Sequence, residues 1–251
     1  MKKKLGQNFL RNKDISKSIV DLAEIPENVE VLEIGPGDGS LTENLIKLPN
    51  KINLIEFDEE LITPLRNRYK QNNVNIINSD ARFYKLPIEV KYSIIGNLPY
   101  YASNFIIRNF LFQKNIVSMT FTVQKEVGEQ IVAPDGKKSF LSFLIQTHAL
   151  TKKLLLIKNT EFYPVPKVDS MTIKIIPNDK KLDEDYINFV KKCFSSPRKK
   201  IANSIFKGLQ IEISLIKEII KLSELDENLR PQHLTLIDWE NLYKVFTETN
   251  L

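Results

Sequence analysis

The segment Gly96-Asn97-Leu98-Pro99-Tyr100 carries the most specific chemistry in this sequence of 251 residues. An amino group conjugated to an aromatic ring is a poor nucleophile, because its lone pair is delocalised. Two acceptors, the side-chain oxygen of Asn97 and the carbonyl of Leu98, would draw its two hydrogens and favour a pyramidal nitrogen. The following proline disfavours helix at Leu98 and so restricts where that carbonyl points. Pro99 fixes its own φ, and Tyr100 offers a flat face on which an extruded base could stack. Such a site needs no strong base, because an alkylated amine of this kind is acidic and its proton can leave to water. Positioning and preorganised dipoles would supply the catalysis. The competing reading is a plain turn. It loses ground because the segment follows the apolar run Tyr92–Ile95, read as a strand whose carboxyl end faces a ligand crevice.

A second cluster precedes it. Glu33-Ile34-Gly35-Pro36-Gly37-Asp38-Gly39-Ser40 leaves an apolar strand and enters a helical pattern. Closely spaced glycines let a backbone turn sharply and approach a ligand. The order G-x-G-x-G, with Glu33 before the loop and Asp38 inside it, differs from the G-x-G-x-x-G of dinucleotide sites. Acidic groups there suit a cationic, phosphate-free ligand such as S-adenosylmethionine. No Gly-Lys-Ser/Thr follows, which excludes a Walker-type phosphate loop. Glu56 ends the next strand, where a carboxylate can accept from both hydroxyls of a ribose. Asp80 follows the Val74–Ile77 strand, where it could accept from an adenine amino group. Its alternative role is an N-cap.

These residues need strands that end side by side. Helical and strand patterns alternate from residue 15 to about 175. They include strands at Val29–Ile34, Ile52–Phe57, Val74–Ile77, Tyr92–Ile95 and Met119–Val123, and late β-like runs at Leu154–Lys158 and Met171–Ile176. Alternation of this kind means an α/β fold with a doubly wound, mainly parallel, Rossmann-like sheet. After Pro177 only helical patterns remain, at Tyr186–Phe194, Lys199–Phe206, Ser214–Leu222 and Trp239–Phe246. The expected division is a catalytic domain over residues 1–178 and a small all-helical domain over 179–251.

Composition narrows the class. A hydrophobic fraction of 42% and a charged fraction of 27% are those of a globular protein. No apolar run is long enough to cross a bilayer, and no signal-peptide pattern follows the basic start. A cytoplasmic location is expected, with an organelle left open. One cysteine and two histidines make a metal site a poor expectation. The net charge of +5 favours an anionic partner weakly. The residues from Asn178 to Leu251 hold 12 basic and 12 acidic side chains, so the excess lies before them.

The ordered motifs together resemble the small-subunit ribosomal RNA adenine N6,N6-dimethyltransferases, within the wider ribosomal RNA adenine N6-methyltransferases. They are Leu5-Gly6-Gln7-Asn8-Phe9-Leu10, Glu33-Ile34-Gly35-Pro36-Gly37, Ile55-Glu56-Phe57-Asp58, Asp80-Ala81, Gly96-Asn97-Leu98-Pro99-Tyr100, Gln124-Lys125-Glu126-Val127, Phe162 to Ser170, and Arg230-Pro231-Gln232-His233-Leu234. The resemblance implies S-adenosylmethionine as cofactor, S-adenosylhomocysteine as product, and no metal. It implies a cofactor set of Asn8, Leu10, Glu33, Gly35, Gly37, Glu56, Phe57, Asp80, Ala81 and Asn97. Asn97, Leu98, Pro99 and Tyr100 would hold the target amine, and Phe162 would pack on the flipped adenine, where core packing is the alternative. The implied substrate is two adjacent adenosines near the 3′ end of small-subunit RNA, in an assembling 30S-type particle, acted on by a monomer. Lys3, Lys4, Arg198, Lys199 and Lys200 are the candidate RNA contacts.

The sequence also departs from that family. Pro197 stands where an arginine is usual, Gln130 where another is common, and the loop Pro134–Phe140 lacks the usual Tyr-Gly pair. Arginine clamps phosphate through two donors at once, so these changes reduce RNA contact without touching the cofactor residues. Two alternatives stay open: a large-subunit RNA methyltransferase of the antibiotic-resistance type, and a non-catalytic RNA-binding factor on the same fold. The first commonly has Ile after the Asn, and the intact Glu33, Gly35, Glu56, Asp80 and Asn97 argue against the second.

Overall fold

The computed structural model describes residues 8–181 and 183–249. The chain forms two compact units. The first comprises residues 8–129 with Ala149–Asp179, and the second comprises Gln130–His148 with residues 180–249.

The first unit begins with the short strand β1 (Phe9–Leu10) and helix α1 (Lys13–Ala23). Asn12 caps α1 by accepting from the amides of Asp14 and Ile15, and Glu24 in the left-handed region ends it. Then come β2 (Glu30–Ile34), the one-turn α2 (Thr42–Leu45), β3 (Ile52–Glu56), α3 (Glu59–Arg68), β4 (Val74–Asn78), β5 (Tyr92–Asn97), α4 (Ser103–Leu111) and β6 (Ile116–Gln124). Helix α5 (Lys125–Ile131) runs across the boundary between the units, and α6 (Phe140–His148) belongs to the second. Strands β7 (Ala149–Ile157), β8 (Phe162–Tyr163) and β9 (Ser170–Pro177) complete the first.

Seven strands form one sheet in the order β4-β3-β2-β5-β6-β9-β7. The five from β4 to β6 are parallel, and β9 and β7 add antiparallel. Parallel strands need both faces covered. Val31, Ile52, Leu54 and Ile95 supply one face, packed with α1 and α3 residues such as Ile19 and Leu65. Their chain neighbours Leu32, Ile55 and Ile94 point the other way and are just as buried. The late β-like runs are thus the two antiparallel strands. The β1–β8 pair, Leu10 opposite Phe162, forms a separate two-stranded sheet that the sequence did not reveal.

The second unit holds α6, α7 (Glu184–Cys193), α8 (Ile201–Leu209), α9 (Ile213–Leu222) and α10 (Leu236–Glu248). Its core is aromatic. Phe143 meets Tyr186 edge-on at 5.5 Å, and Phe194 lies 5.2 Å from Trp239. The sequence reading divides the chain at 178/179 and so assigns residues 130–148 to the catalytic domain. In the structure Phe143 sits in the helical core with Val190, Ile201 and Trp239. Helices α7 and α8 pack tightly: a Cβ at Gly208 would meet the Lys192 carbonyl oxygen at 1.9 Å.

Candidate active site

The carboxyl ends of β2, β3 and β5 open on one cleft of about 980 Å³, counting its open mouth. The cleft lies where the strand order reverses, the usual ligand position in an open α/β sheet. It is lined by Asn8, Glu33, Gly35, Gly37, Asp38, Glu56, Phe57, Asp80, Ala81 and the run Asn97–Tyr100, among others.

Gly35 and Gly37 both have positive φ, 66° and 58°. A side chain at Gly37 would also strike the Phe9 ring at 2.8 Å, so Phe9 closes over the loop. The Glu56 carboxylate accepts from the amides of Gly37 (3.2 Å) and Asp58 (2.9 Å). Each oxygen thus has a lone pair left for a ligand hydroxyl. Burial pushes the Glu56 carboxyl up from the usual range.

Glu33 is 1% exposed and accepts from the Thr42 hydroxyl at 2.6 Å. Burial pushes its carboxyl up to about 8, and the neighbouring carboxylates Glu56 and Asp38 add to the shift. Asp38 pairs through Oδ2 with Arg11 at 3.1 Å, while its Oδ1 is buried with no hydrogen-bond partner. A buried acceptor of this kind is costly unless a ligand donor satisfies it. Burial is also the main cause raising the Asp38 carboxyl. Three neighbouring carboxyls, two of them buried and the third with an unused oxygen, fit a ligand carrying an amino group and a sulfonium. The cleft volume suits a nucleoside-sized molecule.

Asp80 is engaged differently. Arg82 grips it through Nε at 3.0 and 2.9 Å and donates its backbone amide at 2.9 Å. These bonds hold the Asp80 carboxyl below its ordinary value. The N-cap alternative therefore holds in part, since the carboxylate caps the turn Ala81–Tyr84 while still facing the cleft.

At the far side, β5 extends through Asn97. Gly96 is required by close approach: a Cβ there would lie 2.5 Å from the Ile34 carbonyl oxygen on β2. The Asn97 amide nitrogen donates to the Asn8 carbonyl at 2.8 Å. That bond fixes which end of the amide is which and leaves Oδ1 as the acceptor. Leu98 is held by its own amide to Thr122 O at 3.0 Å. The Tyr100 hydroxyl bonds Ser170 Oγ at 2.8 Å, which pins the ring, and burial raises its pKa. A second cavity lined by Asn8, Tyr100, Tyr101, Gln124, Pro166 and Lys167 shares residues with the first.

Two residues expected at the site are not among those lining the cleft. Leu10 and Phe162 are 3% and 2% exposed and pack together in the apolar core of the sheet unit. Leu10 stands opposite Phe162 in the β1–β8 ladder, which sets both in that core, while Asn8 and Phe9 line the cleft. For Phe162 core packing, the alternative weighed from the sequence, is what the structure shows. Phe9 and Arg82 are among the lining residues that sequence reasoning missed. The signal for Phe9 was its place in the Asn8–Leu10 motif; Arg82 had none. Arg198, Lys199 and Lys200 are exposed before α8, with Lys200 Nζ on Asn228 at 2.6 Å. Lys3 and Lys4 lie outside the described residues. Among the described residues no cluster of three metal-binding side chains occurs, and no helix is long and apolar enough to cross a membrane.

The family model described as Ribosomal RNA adenine dimethylase matches residues 1–241. A protein named Ribosomal RNA small subunit methyltransferase A from Fusobacterium nucleatum is 35% identical, over 98% of this chain and 97% of its own. Its namesake from Mycoplasma mobile is 36% identical, over 99% and 98%. A dimethyladenosine transferase from Plasmodium falciparum superposes with a TM-score of 0.81 at 25% identity, covering 97% of this chain and 98% of its own. The 23S rRNA methyltransferase ErmE has the same fold, with a TM-score of 0.78 at 23% identity over 96% of this chain and all of its own. With the family model matched over residues 1–241 and its relatives matched nearly end to end, the chain belongs to the ribosomal RNA adenine dimethylase family.

Proposed function

We propose that this protein dimethylates N6 of two adjacent adenosines near the 3′ end of small-subunit ribosomal RNA, with S-adenosylmethionine as methyl donor. The observation that carries the reading is the Asn97 amide. Its nitrogen is tied to Asn8 O, so its oxygen is a fixed acceptor on the same cleft as Glu33, Glu56 and Asp80. The near full-length identity to small-subunit enzymes supports that RNA over the large-subunit alternative.

When bound, S-adenosylmethionine supplies an electrophilic methyl group on a sulfonium. Glu33 and Asp38 would hold its cationic groups, Glu56 the ribose and Asp80 the adenine. The chain's own part in the chemistry lies at β5. Asn97 Oδ1 and the Leu98 carbonyl accept from the target amine and reduce conjugation of its lone pair. Tyr100, locked by Ser170, presents a stacking face. The released proton passes to water, because Asn97 is neutral and no base is required. A second methylation must proceed with one hydrogen fewer, so one of the two acceptors then goes unused.

The reading extends to an assembling 30S-type particle as substrate, a monomeric enzyme, a cytoplasmic location, and an RNA-recognition role for the helical unit through Arg198, Lys199 and Lys200. Incubation with unmethylated small subunits, followed by mass spectrometry of the RNA 3′ region, tests it. Two neighbouring dimethyladenosines are expected. Methylation confined to large-subunit RNA, or none, would overturn it.

A further inference from the structure

Next to the cleft mouth the first unit exposes aromatic rings that the proposed chemistry does not use. Phe83 is 74% exposed and Phe105 is 65% exposed. Both belong to segments that are tied together. The Asn109 amide on α4 donates to the carbonyls of Ala81 (2.9 Å) and Tyr84 (2.8 Å), and Lys85 Nζ reaches Asn109 Oδ1 at 3.0 Å. Phe105 stands one helical turn before Asn109, so the two share a helix face. The turn carrying Phe83 therefore lies along the face that bears Phe105. The neighbours on each side, Arg82 and Ile106, line the cleft itself.

The surroundings are basic. Arg82 lies over the Phe83 ring at 5.5 Å while holding Asp80. Lys85 and Arg108 are exposed beside the rings, and the one carboxylate between residues 80 and 85 is already engaged by Arg82. Exposed rings interleaved with cations, continuous with a catalytic cleft, match the chemistry of unpaired nucleotides: flat faces to stack and phosphates to neutralise.

We infer that Phe83 and Phe105, with Arg82, Lys85 and Arg108, form a stacking platform for the single-stranded ribonucleotides that flank the target adenosine. The inference rests on the RNA reading above and adds to it a binding surface on the sheet unit. It also gives Arg82 two partners, the carboxylate expected at the cofactor adenine and the ring under the RNA.

The test compares F83L/F105L, which keeps apolar bulk but removes the rings, with F83W/F105W, which keeps the rings. Affinity for an unstructured, adenine-containing RNA oligonucleotide is read by fluorescence anisotropy. Affinity for S-adenosylmethionine is read by calorimetry. The leucine pair should bind the oligonucleotide about tenfold more weakly, the tryptophan pair no more weakly than the parent, and both should bind S-adenosylmethionine as the parent does. Parent-like RNA binding by the leucine pair overturns the platform. So does a loss seen only with protein-containing subunits, which would make the surface a protein dock. A parent enzyme that methylates no small-subunit RNA fails earlier, and refutes the RNA reading itself.

Discussion

Glu33 and Glu56 in the sheet unit, and Phe143 and Trp239 in the helical unit, are all nearly inaccessible to solvent. Their burial has opposite consequences. Removing a carboxylate from water costs free energy unless hydrogen bonds or a charge compensate. Thr42 and two backbone amides compensate only in part, which is why both carboxyls sit above their ordinary range. The sheet unit thus holds a polarised cavity whose deficit a cationic ligand can offset. In the helical unit, burying rings stabilises directly, and tilted and edge-on pairs add about 0.5–1.5 kcal/mol each beyond area burial. Substitutions in the first region should therefore change binding and rate, and in the second stability.

The sharpest break in that comparison is Asn97→Ala. It should abolish methyl transfer, with a loss of at least about 100-fold from the missing acceptor. The melting temperature should shift little, since only the bond to Asn8 O goes. Retained turnover would discard the mechanism. Trp239→Ala is the opposite case. It empties a fully buried site and should cost about 3–5 kcal/mol in denaturant unfolding. An unchanged unfolding midpoint would show that the ring cluster does not hold the unit.

Glu56→Ala should weaken S-adenosylmethionine binding by about 1–3 kcal/mol, the scale of lost charged hydrogen bonds. Wild-type affinity by calorimetry would remove Glu56 from the ribose role. Glu33 offers a pH test. Its carboxyl titrates near 8 when folded and near 4.5 ordinarily. Between these values the unfolded chain ionises and the folded one does not, so Glu33's contribution to stability falls as pH rises through that window. A cation binds the ionised form, so affinity should rise as pH climbs through about 8. Comparing the parent with Glu33→Gln cancels the ligand's own titration; parallel affinity curves would mean that Glu33 does not face the cation. The smallest effect should come from Tyr186→Phe. The Tyr186 hydroxyl is buried without a partner, so its removal should leave stability equal or slightly higher. A clear loss would reveal a hidden partner.

Much of the site was legible because its determinants are local. A glycine turn after an apolar strand, an acid at the next strand end, and an Asn-x-Pro-Tyr at a third each state a backbone geometry within a few residues. The parallel sheet followed from the alternation of elements around them. The burial of Leu10 and Phe162 was not legible, because it depends on the β1–β8 pairing, which joins residues about 150 positions apart and leaves no periodic trace. The segment 130–148 reads as one more helix after a strand. Only the positions of Val190, Ile201 and Trp239 decide that Phe143 packs among them.

The sequence by itself determined the candidate groups and the turns that present them, because residue type and short-range backbone preference suffice for both. Tertiary structure decided the rest. It set the Asn97 amide by a bond to Asn8, lifted the Glu33 carboxyl by burial, and bound Asp80 to Arg82. It also laid the Phe83 turn along α4. Each of these depends on what a side chain meets across space, and distance along the chain does not specify that.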